Sequence, residues 1–463
     1  MKIQVLGAAG GEVTGSAYLV RTAHATVLVD AGLFQGADSD DGRNTWPAEV
    51  PPSSIDAVVL THAHLDHTGR LPLLVKLGYE GPVFSTPATM ELAGIILLDS
   101  AKLQAQDAIR INRKRERAGE DPVQPLYGPE HVEPLADLAR THPLATPFEV
   151  ARGVRGRFFE AGHILGSASL ELIVDDAGTT RTLVFSGDLG PTTLPILREF
   201  APPERADWVF LESTYGDRDH RGYPETVAEF TGIVSGVVQQ GGKILVPTFA
   251  VGRAQQILYH LAVLFRDGTL PRFPVILDSP MAVEATRVYV RHPELFDEEM
   301  QALSDRGVEP FHAAHFRATV TAEESKTLND LAGPCVILAG SGMCTGGRIL
   351  HHLKQNLWKP DTHVLIVGYQ ARGSLGRRLV EREEHVSIHG ERIAVRGRIH
   401  TLGGFSAHAG RSDLLKWFSH LAPSRPRVIL THGEDAPRRA LAERIQSDFR
   451  LDCHLPDLGE TLE

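Results

Sequence analysis

The chain has 463 residues, 42% of them hydrophobic, with a formal net charge of -11 and three cysteines. That is ample for buried cores in more than one domain-sized unit, and two domains are expected. No stretch approaches the roughly 20 apolar residues of a membrane span, the N-terminus lacks the pattern of a secretory leader, and Cys335, Cys344 and Cys453 are too scattered for a disulfide framework or a cysteine zinc site.

A soluble protein of the reducing cytoplasm, with no membrane partner, is therefore expected. The acidic balance argues at face value against a polyanionic ligand. The excess of acid lies on the flanks, however, while residues 214–400 are near neutral. Carboxylates committed to a metal would leave their own site positive.

In chain order, the first 210 residues read as short strands and tight turns with a few helices. Runs at 2–6, 17–20 and 26–29 end at Asp30. The run 57–60 ends at THAHLDHTGR, Thr61 to Arg70, which puts His62, His64, Asp66 and His67 within six consecutive positions. A strand alternates its side chains with a period of two, so His62 and His64 are expected on one side, with Asp66 and His67 on the turn beyond. Four such donors can feed two metals rather than one, and they match the ligand preferences of zinc; the alternative is a loop that is merely rich in histidine.

Residues 88–118 carry a helical pattern with Leu92, Ile95, Ile96, Leu98 and Leu103 apolar, which reads as a packing helix or as a cover for the site. The runs 158–161 and 183–186 lead to Gly162-His163 and Gly187-Asp188. Singly, such a histidine is a satisfied polar residue and such an aspartate a turn former. Their repeated place at strand ends makes them metal candidates.

After 208–212 the pattern changes to strand then helix, four times: 243–246 and 253–265, 275–277 and 283–290, 336–338 and 348–357, 363–367 and 375–381. This is the signature of a parallel sheet flanked by helices, in which ligands bind beyond the carboxyl ends of the strands. Those ends read PTFAVGR, DSPMA, GSGMCTGGR and GYQARGSLGR. The glycine-rich run Gly340 to Arg348 opens a helix, so its amides suit a phosphate, although any one such loop can be only a tight turn. Four of them with Arg253, Arg348, Arg372 and Arg377 make a phosphate-binding crevice the expectation. Arg253, Ser341, Gly342, Arg348, Arg372 and Ser374 are its candidate contacts.

After Arg398 the first pattern returns: a strand at 399–402, then FSAH with His408, a strand at 428–430 ending in Thr431-His432-Gly433, and a helix marked by Leu441, Ile445 and Phe449. The simplest account is one domain, 1–213 and 401–463, sharing a sheet and interrupted by a second, 214–400, that forms a lid over its strand ends.

On these motifs the chain resembles the β-CASP ribonucleases of the metallo-β-lactamase superfamily and is similar to the endonuclease subunit of the cleavage and polyadenylation specificity factor. Asp30 matches the first motif of that family. His62, His64, Asp66 and His67 match the second, His163 the third and Asp188 the fourth. Glu212 in LESTYGD, His408 in FSAH and His432 in THGE match the three motifs of the β-CASP branch. The fold implied is α/β, an αββα sandwich with an inserted β-CASP domain.

The resemblance further implies two zinc ions, one on His62, His64 and His163 and the other on Asp66, His67 and His432. Asp188 would bridge them, and a shared hydroxide would be the nucleophile. Asp30 would orient the histidine loop. His408 would protonate the leaving oxygen, held in place by Glu212. The activity implied is hydrolysis of phosphodiester bonds in single-stranded RNA, endonucleolytic rather than 5′ exonucleolytic, with a homodimer as the candidate assembly and the crevice residues as RNA contacts. The rival readings are a noncatalytic RNA-binding scaffold and a metal hydrolase of a small ester or thioester.

Overall fold

The computed structural model describes residues 1–36, 42–306, 311, 316–371 and 373–463, so Arg372 lies outside the described residues. The chain divides into two compact units. The first comprises Met1–Thr192, Glu199–Asp219 and His408–Glu463, and the second Thr193–Arg198 and His220–Ala407.

The described residues of the first unit form two seven-stranded sheets. One runs in the order Thr461–Leu462, Lys2–Val5, Tyr18–Arg21, Thr26–Val29, Ala57–Val59, Val83–Ser85, Ala139–Thr141. The other runs Cys453–His454, Arg427–Thr431, Trp208–Glu212, Thr179–Phe185, Ala168–Asp176, Val154–Glu160, Phe148–Ala151. Alternate residues meet between the sheets. Val20, Val27, Val29 and Val59 of the first pack with Phe158, Leu172, Phe185, Phe210 and Ile429 of the second. Their neighbours Val209, Leu211, Val428 and Leu430 face the other way, against Leu414, Trp417 and Phe418 of the helix Arg411–Leu421 and Leu441 and Ile445 of the helix Asp435–Phe449. Trp208–Glu212 is buried along its whole length because both its faces are covered.

Trp208–Glu212 pairs in parallel with Arg427–Thr431, which puts Glu212 opposite Thr431. The two flanks of the chain therefore share a sheet. The long helix is Pro87–Ala118, with Pro87 in its first turn and the Thr86 hydroxyl accepting from Thr89 N at 3.3 Å. Leu92, Ile96 and Leu97 are buried in it, Ile95 and Leu98 are half-buried, and Leu103 is exposed, so the expected apolar stripe ends a turn early.

The second unit holds a six-stranded parallel sheet among its described residues, in the order Phe316–Ala318, Val275–Leu277, Cys335–Ala339, Lys243–Pro247, Thr362–Ile366, Arg398–Thr401. The helices Arg253–Arg266, Pro280–Arg291, Arg348–Asn356 and Leu375–Val380 follow four of these strands, as the alternating pattern predicts. One expectation fails here. The strand near 399 does not rejoin the first unit: Arg398–Thr401 pairs with Thr362–Ile366 as the edge of this sheet, and the chain returns to the first unit only at His408. An isolated four-residue strand says nothing in its own sequence about which sheet it will join. No helix among the described residues is long and apolar enough to cross a membrane.

Candidate metal centre

The site is built at the strand ends of the first unit. His62 and His64 do not leave the strand itself. Ala57–Val59 stops before them, His64 caps the short helix Leu65–Thr68, and that helix carries Asp66 and His67. His163 follows Val154–Glu160, Asp188 follows Thr179–Phe185, and His432 follows Arg427–Thr431.

Several of these turns need unusual backbone. Asp30 and His432 adopt φ of 58° and 51°, the left-handed region that costs a non-glycine residue of order 1–3 kcal/mol. Each is held there by its amide, Asp30 N on Val59 O at 2.9 Å and His432 N on Ala8 O at 2.8 Å. Gly187 (φ 57°) precedes Asp188 where a Cβ would lie 3.0 Å from both Ala168 O and Thr61 Cβ, so only glycine lets the aspartate enter.

The donors converge in two groups that share one carboxylate. His62, His64, His163 and Asp188 form the first, and Asp66, His67, His432 and Asp188 the second, with ligand atoms all within 4.8 Å of one another inside each group. Asp188 Oδ2 faces His62 Nε2 at 3.5 Å and His163 Nε2 at 3.7 Å. Asp188 Oδ1 faces His67 Nε2 at 3.2 Å and His432 Nε2 at 3.5 Å. His64 Nδ1 lies 3.1 Å from His163 Nε2, and His432 Nε2 lies 3.4 Å from Asp66 Oδ2. Ligand atoms bound about 2.0–2.2 Å from one tetrahedral ion lie roughly 3.3–3.6 Å from each other. The observed spacings run from 3.1 to 3.7 Å and so bracket that range.

The buried atoms His62 Nε2, His432 Nε2 and Asp188 Oδ1 have no hydrogen-bond partner, a costly arrangement for polar atoms unless a cation completes it. The electrostatics agree. Burial opposes a charge on His67, yet Asp188 and Asp30 outweigh it and raise its pKa well above the ordinary value. Burial likewise opposes ionisation of Asp188, but His432, His67 and His62 hold its pKa well below the carboxylate range. Burial keeps His62 and His64 neutral, the form that ligates. These residues fit metal, and the chain carries a metal-binding centre.

A ring of partners fixes which nitrogen His62, His67 and His432 offer. Asp30 Oδ2 takes the proton of His67 Nδ1 at 2.8 Å, turning Nε2 to Asp188. Thr61 donates to Asp30 from its amide and its hydroxyl, both at 2.8 Å, and its hydroxyl stands 3.2 Å from His62 Nδ1. Thr214 Oγ1 stands 3.1 Å from His432 Nδ1 and donates to His432 O at 3.2 Å. Sequence reasoning placed Asp30 in this role but missed both threonines. Their only signal was position, one directly before the histidine motif and one two residues after Glu212. Asp30→Asn and Thr214→Val are expected to weaken metal affinity about 10- to 100-fold with the ligands intact, as competition against a chelating dye will show.

His408 and Glu212 form a third group with Asp188. His408 Nδ1 is 3.5 Å from Glu212 Oε1 and 3.9 Å from Asp188 Oδ2. Glu212 is itself anchored by Leu189 N at 2.8 Å and Thr214 N at 3.3 Å. Burial alone would strip the proton from His408; the charge and hydrogen bond of Glu212 outweigh it and push the pKa up to about 9.

The expected phosphate contacts lie at the carboxyl ends of the six-stranded sheet in the second unit, but most of them are occupied in holding it. The Arg348 guanidinium turns inward onto Asp278 Oδ1 at 2.7 Å, Thr319 O at 3.2 Å and Val320 O at 2.6 Å, so it ties strand ends together instead of facing a ligand. Buried Arg253 donates to the Gln256 side chain. Ser374 caps its helix, accepting from Arg377 N at 3.2 Å and donating to Ala371 O at 2.8 Å. Ser341 Oγ accepts from Thr345 N at 3.0 Å and Gly346 N at 3.2 Å, and Gly342 lies against the Phe249 ring. Arg377 pairs with Glu381 at 2.7 Å on the surface.

Residues 10–228 match the metallo-beta-lactamase superfamily, 254–379 the Beta-Casp domain, and 392–456 the Zn-dependent metallo-hydrolase RNA specificity domain. The chain is 45% identical to Ribonuclease TTHA0252 of Thermus thermophilus over 445 residues, covering 96% of this chain and 95% of that protein. It is 32% identical to the transcription termination factor FttA of Cenarchaeum symbiosum, covering 98% of this chain and 69% of the other. A crystal structure of a protein of unknown function from Enterococcus faecalis V583 superposes with a TM-score of 0.53 at 12% identity, over 100% of this chain and 99% of that one, a likeness of fold. With relatives this similar along nearly its whole length, the chain belongs to the β-CASP ribonuclease family of the metallo-β-lactamase superfamily.

Proposed function

We propose that the protein is a zinc-dependent ribonuclease that hydrolyses phosphodiester bonds within single-stranded RNA, using two zinc ions per chain. The observation that carries this reading is the division of Asp188, one oxygen to each of two donor groups. His62, His64 and His163 would hold one ion, Asp66, His67 and His432 the other, and Asp188 both. Bound there, zinc supplies Lewis acidity and a water whose pKa falls toward about 7.

The chain's own residues do the rest. Asp30, Thr61 and Thr214 keep the imidazoles of His67, His62 and His432 in their ligating tautomers. His408, kept protonated by Glu212, gives a proton to the departing ribose 3′ oxygen, and the amides of Leu189 and Thr214 keep Glu212 aimed at it. A similar ribonuclease at 45% identity supports the choice of RNA. A small ester or thioester would not call for a second unit with glycine-rich strand ends, and a scaffold would not call for a complete donor set.

An RNA of defined sequence labelled at each end in turn tests this. Labelled fragments of intermediate length are expected from either label, abolished by chelator and restored by zinc. Cleavage that persists in chelator sinks the metal mechanism, and mononucleotides released only from the 5′ end would replace the endonucleolytic mode by the exonucleolytic one.

A further inference from the structure

The second unit buries Phe230, Phe265, Phe273, Phe296 and Phe405, yet exposes two aromatic rings at the carboxyl ends of its parallel strands. Phe249, just after Lys243–Pro247, is 44% exposed, and Tyr369, just after Thr362–Ile366, is 54% exposed. Single exposed apolar side chains are ordinary on a protein surface. This pair differs in that the two loops carrying it are tied to each other.

The Phe249 ring rests on the glycine-rich loop: a Cβ at Gly342 would come within 2.7 Å of its Cδ2 and Cε2, so a larger residue there would push the ring aside. A Cβ at Gly368, next to Tyr369, would lie 3.9 Å from Phe249 Cε2, which brings the second loop to the same ring. The buried side-chain amide of Gln370 stitches the two loops, with Nε2 within 2.9 Å of Gly342 O, 3.1 Å of Gly368 O and 2.9 Å of Tyr369 O. Gly376 N adds a bond to Met343 O at 3.3 Å. On the same two loops, Gly346 and Gly373 each border open space. Arg377 and Arg378 lie on the following helix in ion pairs with Glu381 and Glu383. An exposed pair such as that of Arg377 contributes little to stability.

Aromatic side chains turn about only two torsions and so cost little to order on binding, and every nucleobase has a π face to lay on them, so stacking is tolerant of sequence. We infer that Phe249 and Tyr369 form a stacking platform for unpaired bases of the RNA, an inference that rests on the ribonuclease reading and adds to it how bases, as distinct from phosphates, are held. A duplex, whose bases are already stacked on each other, is refused there.

The test uses the zinc-loaded enzyme, KM for a single-stranded RNA, and the inhibition constant of an abasic oligomer of the same length, which keeps the ribose-phosphate backbone without bases. Phe249→Leu and Tyr369→Leu are each expected to raise KM about 5- to 100-fold, the range for one lost base stack. They should change kcat little and leave the abasic constant where it was. Phe249→Tyr and Tyr369→Phe keep a ring and should keep KM. Tyr369 is exposed enough that its leucine variant tests the platform even if the Phe249 variant fails to fold. An unchanged KM overturns the platform. A parallel rise in KM and in the abasic constant also overturns it, making the rings props for the backbone. A changed oligomeric state with unaltered KM overturns it too, assigning the rings to a second copy of the chain. A wild-type enzyme that does not cut RNA at all strikes instead at the ribonuclease reading, before any variant is made.

Discussion

Asp188→Ala is expected to empty both donor groups at once, and RNA cleavage is expected to fall by at least about 10⁴-fold, the product of two lost charge-stabilising centres worth about 10² each. The reason lies in the division of its carboxylate: Oδ2 belongs to His62 and His163, and Oδ1 to His67 and His432. Each group then keeps only three donors, and the first loses its only negative charge while the second is left with that of Asp66 alone to offset a divalent cation inside a buried pocket. His67→Ala, by contrast, removes a donor from one group only and is expected to lose mainly one ion. Elemental analysis of the purified variants, alongside cleavage rates, separates the two cases. Two ions per chain in Asp188→Ala would end its assignment as the shared ligand, and one ion with full activity in the wild type would end the two-metal reading.

His408→Ala is expected to behave in the opposite way, keeping its metal and its affinity for RNA while cutting about 10² to 10⁴ times more slowly, the range for a lost general acid. Its ring stands beside the carboxylate of Asp188, but Nδ1 is turned toward Glu212, 3.5 Å away. Replacing the departing 3′ oxygen by sulfur should shrink the deficit, because a thiolate leaves without a proton. Glu212→Gln should show the same rescue. It should also move the alkaline fall in rate to lower pH: an acid must be protonated to act, and the carboxylate is what raises His408 to about 9 against its burial. A variant of His408 that loses metal, or a defect that sulfur leaves undiminished, would refute the assignment.

By itself the sequence determined the donor set. His62, His64, Asp66 and His67 lie within one turn-sized stretch, and His163 and Asp188 each follow a short β-prone run, so local pattern brings those six forward, while His432 enters through the motif resemblance. It also determined the alternation of strand and helix in the second unit, because that pattern is periodic over a hundred residues and more.

Tertiary structure decided the rest. Which oxygen of Asp188 faces which histidines, that Thr61 is anchored by Asp30, and that Thr214 locks the His432 ring depend on contacts between residues that are distant in sequence: Thr61 lies 31 positions from Asp30, and Thr214 lies 218 from His432. Arg348 looked from its loop like a phosphate ligand, but Asp278, seventy positions earlier, has claimed it. The strand Arg398–Thr401 joined the second unit's sheet because the exposed edge it found was that of Thr362–Ile366. A four-residue strand has the same alternation whichever edge it completes, so only the packed chain could say.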